Sequence, residues 1–177
     1  MNQYFNRDIM DWDVFPEYDL LYTDPPWGVS LVKQFATMQE KQTGVRPEIN
    51  FSAIINKLAE CADTNKPLVI EYAIKGYMEV KEIMIAHGHS FNRTDVRIQS
   101  MGRPFVIMSF NCNLQLSEEV KGFNIIKETV QSLNAHTVFD PFAGIGNTAK
   151  AVTDAGATYI GSEINPARYA RLIKVKS

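Results

Sequence analysis

The sequence predicts a single α/β domain over residues 1–177 with a mostly parallel, twisted sheet, and three observations carry that expectation. Short apolar runs alternate with stretches of helical periodicity along the chain. Strands that follow one another through helices pair in parallel, because a parallel connection needs a crossover. The length of 177 residues suits one domain, typically about 100–200 residues, with a sizeable core.

The elements follow in order. A short strand over Gln3–Asn6 ends at Arg7-Asp8, and Tyr18–Thr23, nearly all apolar, is stopped by Asp24-Pro25-Pro26. Residues 28–50 read as a long polar connection, with Lys33, Lys41 and Arg46 against Glu40 and Glu48. It exceeds ordinary loop length, so it is functional, mobile or partly helical. Asn50–Ala62 is a helix with Phe51, Ile54, Ile55 and Leu58 on one face, and Pro67–Ile74 is a buried strand. Tyr77–His87 is helical and stops at Gly88, a fitting C-terminal residue. Ser90–Gln99 and Pro104–Asn111 flank Met101-Gly102-Arg103 as an antiparallel edge hairpin. Helix Phe123–Leu133, strand His136–Asp140, helix Asn147–Ala155, strand Thr158–Ser162 and helix Pro166–Lys174 complete the chain. Met78, Met84, Met101 and Met108 read as core filler.

Composition excludes several classes. With 45% apolar and 21% charged residues the chain is not disordered. No apolar run approaches the ~20 residues that span a bilayer, and MNQYFNRDIM lacks a secretory h-region, so a cytoplasmic, membrane-free protein is expected. Cys61 and Cys112 are too few for a disulfide framework, and His87, His89 and His136 show no metal-like spacing, so no metal is expected. The net charge of −2 argues against a strong non-specific DNA binder.

Residues 136–149, HTVFDPFAGIGNTA, place Gly144, Gly146 and Ala149 in the spacing G-x-G-x-x-A between a strand and a helix. Glycines let the backbone turn tightly and approach a ligand, and the free N–H groups of a helix start favour a negative group. Glu163 follows at the end of the next strand, where an acid can take both hydroxyls of a ribose. The plainer alternative is a tight β–α turn and a surface glutamate. The pattern alone does not separate a dinucleotide from another adenosyl ligand. Its position does help: most of the sheet precedes the turn, so the order is circularly permuted and a single nucleoside is the expected cofactor.

Asp24-Pro25-Pro26-Trp27-Gly28 follows directly on an apolar strand. In an open parallel sheet the carboxyl ends of the strands face the ligand crevice. Two prolines remove two N–H donors and stiffen the chain, leaving the Asp24 carboxylate and nearby carbonyls as a rigid cluster of acceptors beside an indole. That cluster suits an exocyclic amino group whose ring stacks on the indole. The alternative is a proline-rich loop whose tryptophan caps the core.

With D-P-P-W on one strand end and Asp140, Pro141, Phe142, Gly144 and Gly146 on another, the sequence resembles the amino-methyltransferases that use S-adenosylmethionine. The aromatic D-P-P-[YW] form resembles the enzymes that methylate N6 of adenine. The motif order is similar to the permuted, beta-type arrangement, also used by RNA adenosine methyltransferases. The resemblance implies a Rossmann-like methyltransferase fold, S-adenosyl-L-methionine as cofactor and nucleic acid as partner, with DNA favoured and RNA the alternative. It implies that Asp24 and the Pro25 carbonyl accept hydrogen bonds from the target amino group, that Pro26 shapes the turn and that Trp27 stacks on a flipped base. Asp140, Gly144 and Gly146 would line the methionine end of the cofactor, Pro141 and Phe142 would belong to the same cofactor-binding turn, and Asn147 and Thr148 would help hold its carboxylate. Glu163 would bind the ribose, Asp8 the cofactor's adenine, and Asn165 belongs to the ribose-binding strand end.

Two features depart from the family. Asn147-Thr148 stands where Thr-Thr is common, and no separate target-recognition domain is expected. Base readout would fall to residues 28–50, to Arg93, Arg97 and Arg103, or to a second subunit, which makes a homodimer or a specificity subunit the expected assembly. The arginines equally fit a solvated edge, and Arg168, Arg171, Lys174 and Lys176 either touch phosphate or complement a helix dipole. The alternatives are RNA adenosine or cytosine N4 as target, a non-catalytic subunit of a methyltransferase complex, and a nicotinamide oxidoreductase, which the late glycine turn disfavours.

Overall fold

Seven strands form one sheet in the order β1-β7-β6-β2-β3-β5-β4 in the computed structural model, which describes residues 1–27, 36–37, 40–41, 44, 50–99 and 102–175. The strands are β1 (Gln3–Phe5), β2 (Leu20–Thr23), β3 (Leu68–Ala73), β4 (Phe91–Ile98), β5 (Pro104–Phe110), β6 (Thr137–Asp140) and β7 (Thr158–Ser162). The helices are α1 (Phe51–Cys61), α2 (Tyr77–Ala86), α3 (Phe123–Ser132), α4 (Asn147–Asp154) and α5 (Pro166–Leu172). A 3-10 turn over Ile9–Asp11, which periodicity does not signal, follows β1.

The edge hairpin is present, with one refinement. β5 inserts between β3 and β4 and pairs antiparallel with both, while every other pairing is parallel. Thus β4 forms the edge and runs with the remaining strands, and β5 alone opposes them. β2 begins at Leu20 instead of Tyr18 because Asp19 is spent on its neighbour: its carboxylate accepts from the His136 and Thr137 N–H groups at 3.0 and 2.8 Å.

Alternation along the strands feeds two cores. Leu21 of β2 and Leu68, Ile70 and Tyr72 of β3 pack with Phe51, Ile55 and Leu58 of α1 and Val80 and Met84 of α2. Leu20, Tyr22 and Val69 face the other way, onto Ile125 and Val130 of α3, Ala149 and Val152 of α4 and Leu172 of α5. Both faces are therefore covered, as a parallel sheet requires. Met84 and Met108 are core residues as expected, whereas Met78 is exposed on the outer face of α2; Met101 lies outside the described residues. Residues 28–50 lie mostly outside them too, and Ala36, Thr37, Glu40 and Lys41 are helical. Among the described residues no helix is long and apolar enough to cross a membrane.

Candidate active site at the carboxyl edge of the sheet

Because β1, β7, β6, β2 and β3 run together, their carboxyl ends bring Asp8, Glu163, Asp140, Asp24 and Glu71 to one edge or its approach. The turns after β2 and β6 are neighbours, since those two strands pair directly. The two motifs, 116 positions apart in the chain, are thus brought side by side.

Asp140 is the most enclosed group of this edge. Its Oδ1 accepts from the Thr23 hydroxyl at 2.8 Å and the Phe142 N–H at 3.0 Å, and its Oδ2 accepts from the Tyr159 hydroxyl at 3.2 Å. Thr148 donates to it as well, so that hydroxyl is engaged within the protein. Burial pushes the Asp140 carboxyl up to about 6, against these four donors. Gly161 explains how Tyr159 gets there. A Cβ at Gly161 would stand 2.4 Å from Tyr159 Cε1 and 2.6 Å from its hydroxyl oxygen, so only glycine lets the ring lie along the sheet towards Asp140.

The two glycines of the turn differ. Among the described residues, a Cβ added at Gly144 (φ +57°) would meet the Phe142 carbonyl at an ordinary contact distance of 3.9 Å and nothing nearer. At Gly146 (φ +97°) an added Cβ would fall 2.5 Å from Val175 Cγ2 and 3.2 Å from Leu172 Cδ1. Gly146 therefore makes room for the C-terminal segment of this chain, and Gly144 leaves room for something else. Pro141 is buried and Phe142 half-buried against the α1–α2 core, while Asn147 is exposed in the first turn of α4.

Glu163 is buried beside this opening. Its Oε1 accepts from the Asn165 N–H at 2.7 Å, and the Gly144 N–H donates to the same carboxylate. Burial raises its carboxyl, with those donors and the Arg168 charge opposing. Asn165 caps α5 by accepting from Ala167 and Arg168 N–H groups at 3.0 and 3.1 Å. Asp8 caps the 3-10 turn, accepting from Met10 N–H at 3.0 Å.

Asp24 stands at a rim, with its own surface exposed and dense protein beneath it. The Trp27 indole N–H donates to its Oδ1 at 2.5 Å, and the Trp27 ring stacks on Phe105 of β5 at 6.5 Å between centroids and 14° between planes. Pro25 is buried, and the Pro26 carbonyl accepts from the Tyr72 hydroxyl at 3.5 Å. Desolvation, then the charge of Glu71, push the Asp24 carboxyl well above the usual carboxylate range; the indole N–H opposes, and Asp140 adds to the rise.

Sequence reasoning missed Glu71, Tyr22, Phe105 and Tyr159, and the room that Gly161 gives the Tyr159 ring. Glu71 had a signal, being the one charged residue in the apolar run PLVIEYAI. Phe105 had none, because its meeting with Trp27 depends on β5 inserting against β3. Of the arginines considered for base readout, Arg93 pairs with Asp95 at 2.6 Å and Arg97 donates to the carbonyls of Glu118 and Leu116; Arg103 is exposed. Arg171 and Lys174 are exposed near the C-terminus, and Lys176 lies outside the described residues.

Residues 116–174, about a third of the chain, match the family model N6_N4_Mtase, described as DNA methylase. M1.HpyAVI superposes with a TM-score of 0.67 at 14% identity over 98% of each chain. The chain has a methyltransferase fold. TTHA0409 of Thermus thermophilus, solved in complex with S-adenosyl-L-methionine, superposes with a TM-score of 0.65 at 14% identity over 98% of this chain and 92% of that one. The cytosine-N4-specific PvuII DNA methyltransferase does so at 0.53 and 12% identity, over 96% of this chain and 86% of that one. No curated protein matches the sequence.

S-adenosylmethionine fits the residues present. The turn after β6 has room at Gly144 among the described residues, an acid at Glu163 held by the backbone N–H groups of Asn165 and Gly144, and an exposed helix start at Asn147.

Proposed function

We propose that this protein transfers a methyl group from S-adenosylmethionine to the exocyclic N6 amino group of adenine in DNA. One observation carries the reading: the Asp-Pro-Pro-Trp turn and the open glycine turn lie on the adjacent, parallel strands β2 and β6, at the same edge. The DNA methylase match over residues 116–174 and the methyltransferase fold support it.

When bound, S-adenosylmethionine supplies a methyl group activated on a sulfonium. Glu163 binds its ribose, and the Gly144 cradle, with Pro141, Phe142 and the backbone of Gly146, shapes the methionine end. Asn147 takes the carboxylate, Asn165 fixes Glu163, and Asp8 meets the adenine. Asp140 acts from beneath, tying β6 to β2 and β7 through Thr23 and Tyr159.

The target nitrogen is a poor nucleophile because its lone pair is delocalised into the ring. Asp24 and the Pro25 carbonyl accept its two hydrogens, draw it towards a pyramidal shape and localise the pair. Positive charge then grows on nitrogen, and Asp24 stabilises it by about 2.7–4 kcal/mol, by analogy with an oxyanion-hole donor. Pro25 and Pro26 keep the acceptors fixed, which supplies orientation. A base in a duplex has to leave the stack to reach this edge, and the Trp27 ring offsets part of that cost. The chain acts as one domain, with a second copy as the source of further nucleic-acid contacts.

The test is transfer from labelled S-adenosylmethionine to duplex DNA, single-stranded DNA and RNA, followed by nucleoside digestion. Label in N6-methyladenine from DNA is expected. Label in N4-methylcytosine or only in RNA would replace the substrate; cofactor binding without transfer to any of them would leave a non-catalytic subunit.

A further inference from the structure

Glu71 is a carboxylate on the inner part of β3 that the reaction above does not use. The β2–β3 register pairs Tyr22 with Val69 and Thr23 with Ile70, so the next step along sets Glu71 beside Asp24. Alternation puts Tyr22, Asp24 and Glu71 on one face of the sheet. The Tyr22 hydroxyl donates to Glu71 Oε1. On the other side of β3, the register sets the apolar Ile107 of β5 against Glu71. Asp140 of β6 is the remaining charge that bears on Glu71, and Asp24 is acted on by Glu71, Asp140 and the Trp27 N–H. Tyr159 reaches this group through Asp140. Among the described residues no cation bears on either Asp24 or Glu71. Acids packed this closely cost stability, and such arrangements concentrate at functional sites.

We propose that Glu71, held by Tyr22, is a positioning residue that acts through Asp24 and makes Asp24 the group that receives the proton released by the amino nitrogen. This rests on the amino-methyltransferase reading. In the transfer, the nitrogen lone pair forms the new N–C bond and sulfur keeps the pair of the broken bond. The nitrogen then gives one of its two hydrogens, as a proton, to an Asp24 carboxylate oxygen, and the N–H bonding pair stays on nitrogen. Neutral methylated base and protonated Asp24 result, and the exposed Asp24 returns the proton to water.

Tyr22 decides which acid ionises first. Burial and Glu71 push its phenol well up, so it remains a donor. Burial and the charge of Asp140 raise the Glu71 carboxyl, and the Tyr22 hydrogen bond opposes them by favouring its charged form. Asp24 then ionises against a negative neighbour and is the stronger proton acceptor of a linked pair.

The experiment is the pH dependence of single-turnover methyl transfer, with cofactor and DNA prebound, in wild type and Glu71→Gln. The glutamine keeps an oxygen for Tyr22 and removes the charge. The acid limb of the profile, set by Asp24, should move down by about one pH unit. A limb that stays in place in a folded Glu71→Gln protein overturns the proposal, because a merely structural Glu71 would lower the rate at every pH alike. If the variant does not fold, carbon-13 NMR titration of the wild-type carboxyls decides: Glu71 and Asp24 should titrate as a linked pair with Glu71 losing its proton first. Two independent, ordinary carboxylate titrations overturn the proposal. A wild-type protein that binds cofactor and transfers no methyl to any nucleic acid would instead overturn the activity on which the proposal rests.

Discussion

Asp24 and Asp140 open the same dipeptide, Asp-Pro, at the ends of the paired strands β2 and β6, yet the fold gives them opposite surroundings. Asp140 is 1% exposed and engaged by four donors from β2, β7, its own turn and α4. Asp24 is exposed and, among the described residues, accepts one indole N–H from its own turn. The cause lies downstream of each dipeptide. After Pro141 the chain turns back through two positive-φ glycines into α4, which closes over Asp140; after Pro25 a second proline holds the carboxylate at the rim. An acid with all its lone pairs satisfied ties strands together, and one with lone pairs to spare can meet a substrate.

Four substitutions break or sharpen this contrast. Asp24→Ala should lower the rate of methyl transfer by about 10²–10³, equivalent to about 2.7–4 kcal/mol, without lowering the melting temperature. Asp140→Asn should act on stability instead. Because the Asp140 carboxyl sits at about 6 in the folded protein against 3.8 normally, its proton is held more tightly folded than unfolded. That stabilisation is full below about pH 4 and is lost as the pH rises through about 6. Urea titrations should therefore show the variant gaining on wild type by about 3 kcal/mol between pH 4 and pH 7.

Gly161→Ala drives a methyl into the Tyr159 ring. It should cost about 1–3 kcal/mol in urea denaturation and perturb the Tyr159 fluorescence or NMR signal. The smallest effect belongs to Trp27→Phe, which keeps a ring against Phe105 and removes the N–H from Asp24. The acid limb of the transfer rate should move up by less than about one pH unit, opposite in sign to Glu71→Gln.

Legibility of the sequence followed the range of the interaction. Elements with strong periodicity lie within a residue or two of their expected bounds: the pattern predicts Asn50–Ala62 for α1 and Phe51–Cys61 forms, with Asn50 as its N-cap. The two Asp-Pro turns were legible because each is local chemistry after an apolar strand. The insertion of β5 beside β3 was not, since a hairpin pattern does not state which of its strands meets the sheet. The roles of the glycines were half legible. Spacing marked both Gly144 and Gly146, but that Gly146 clears Val175 and Leu172 depends on where the last helix docks. Glu71 was visible as a charge in an apolar run, and its meaning appears only when the register sets it beside Asp24.

On the proposed function, the edge of the sheet is divided between a turn that meets the target amino group and turns that hold the cofactor. The most direct test measures S-adenosylmethionine binding by calorimetry and single-turnover transfer to DNA in parallel, on Asp24→Ala and Glu163→Ala. Asp24→Ala should bind the cofactor like wild type and fail to transfer, whereas Glu163→Ala should lose cofactor affinity. Loss of cofactor binding in Asp24→Ala, or transfer that survives it, would contradict the division.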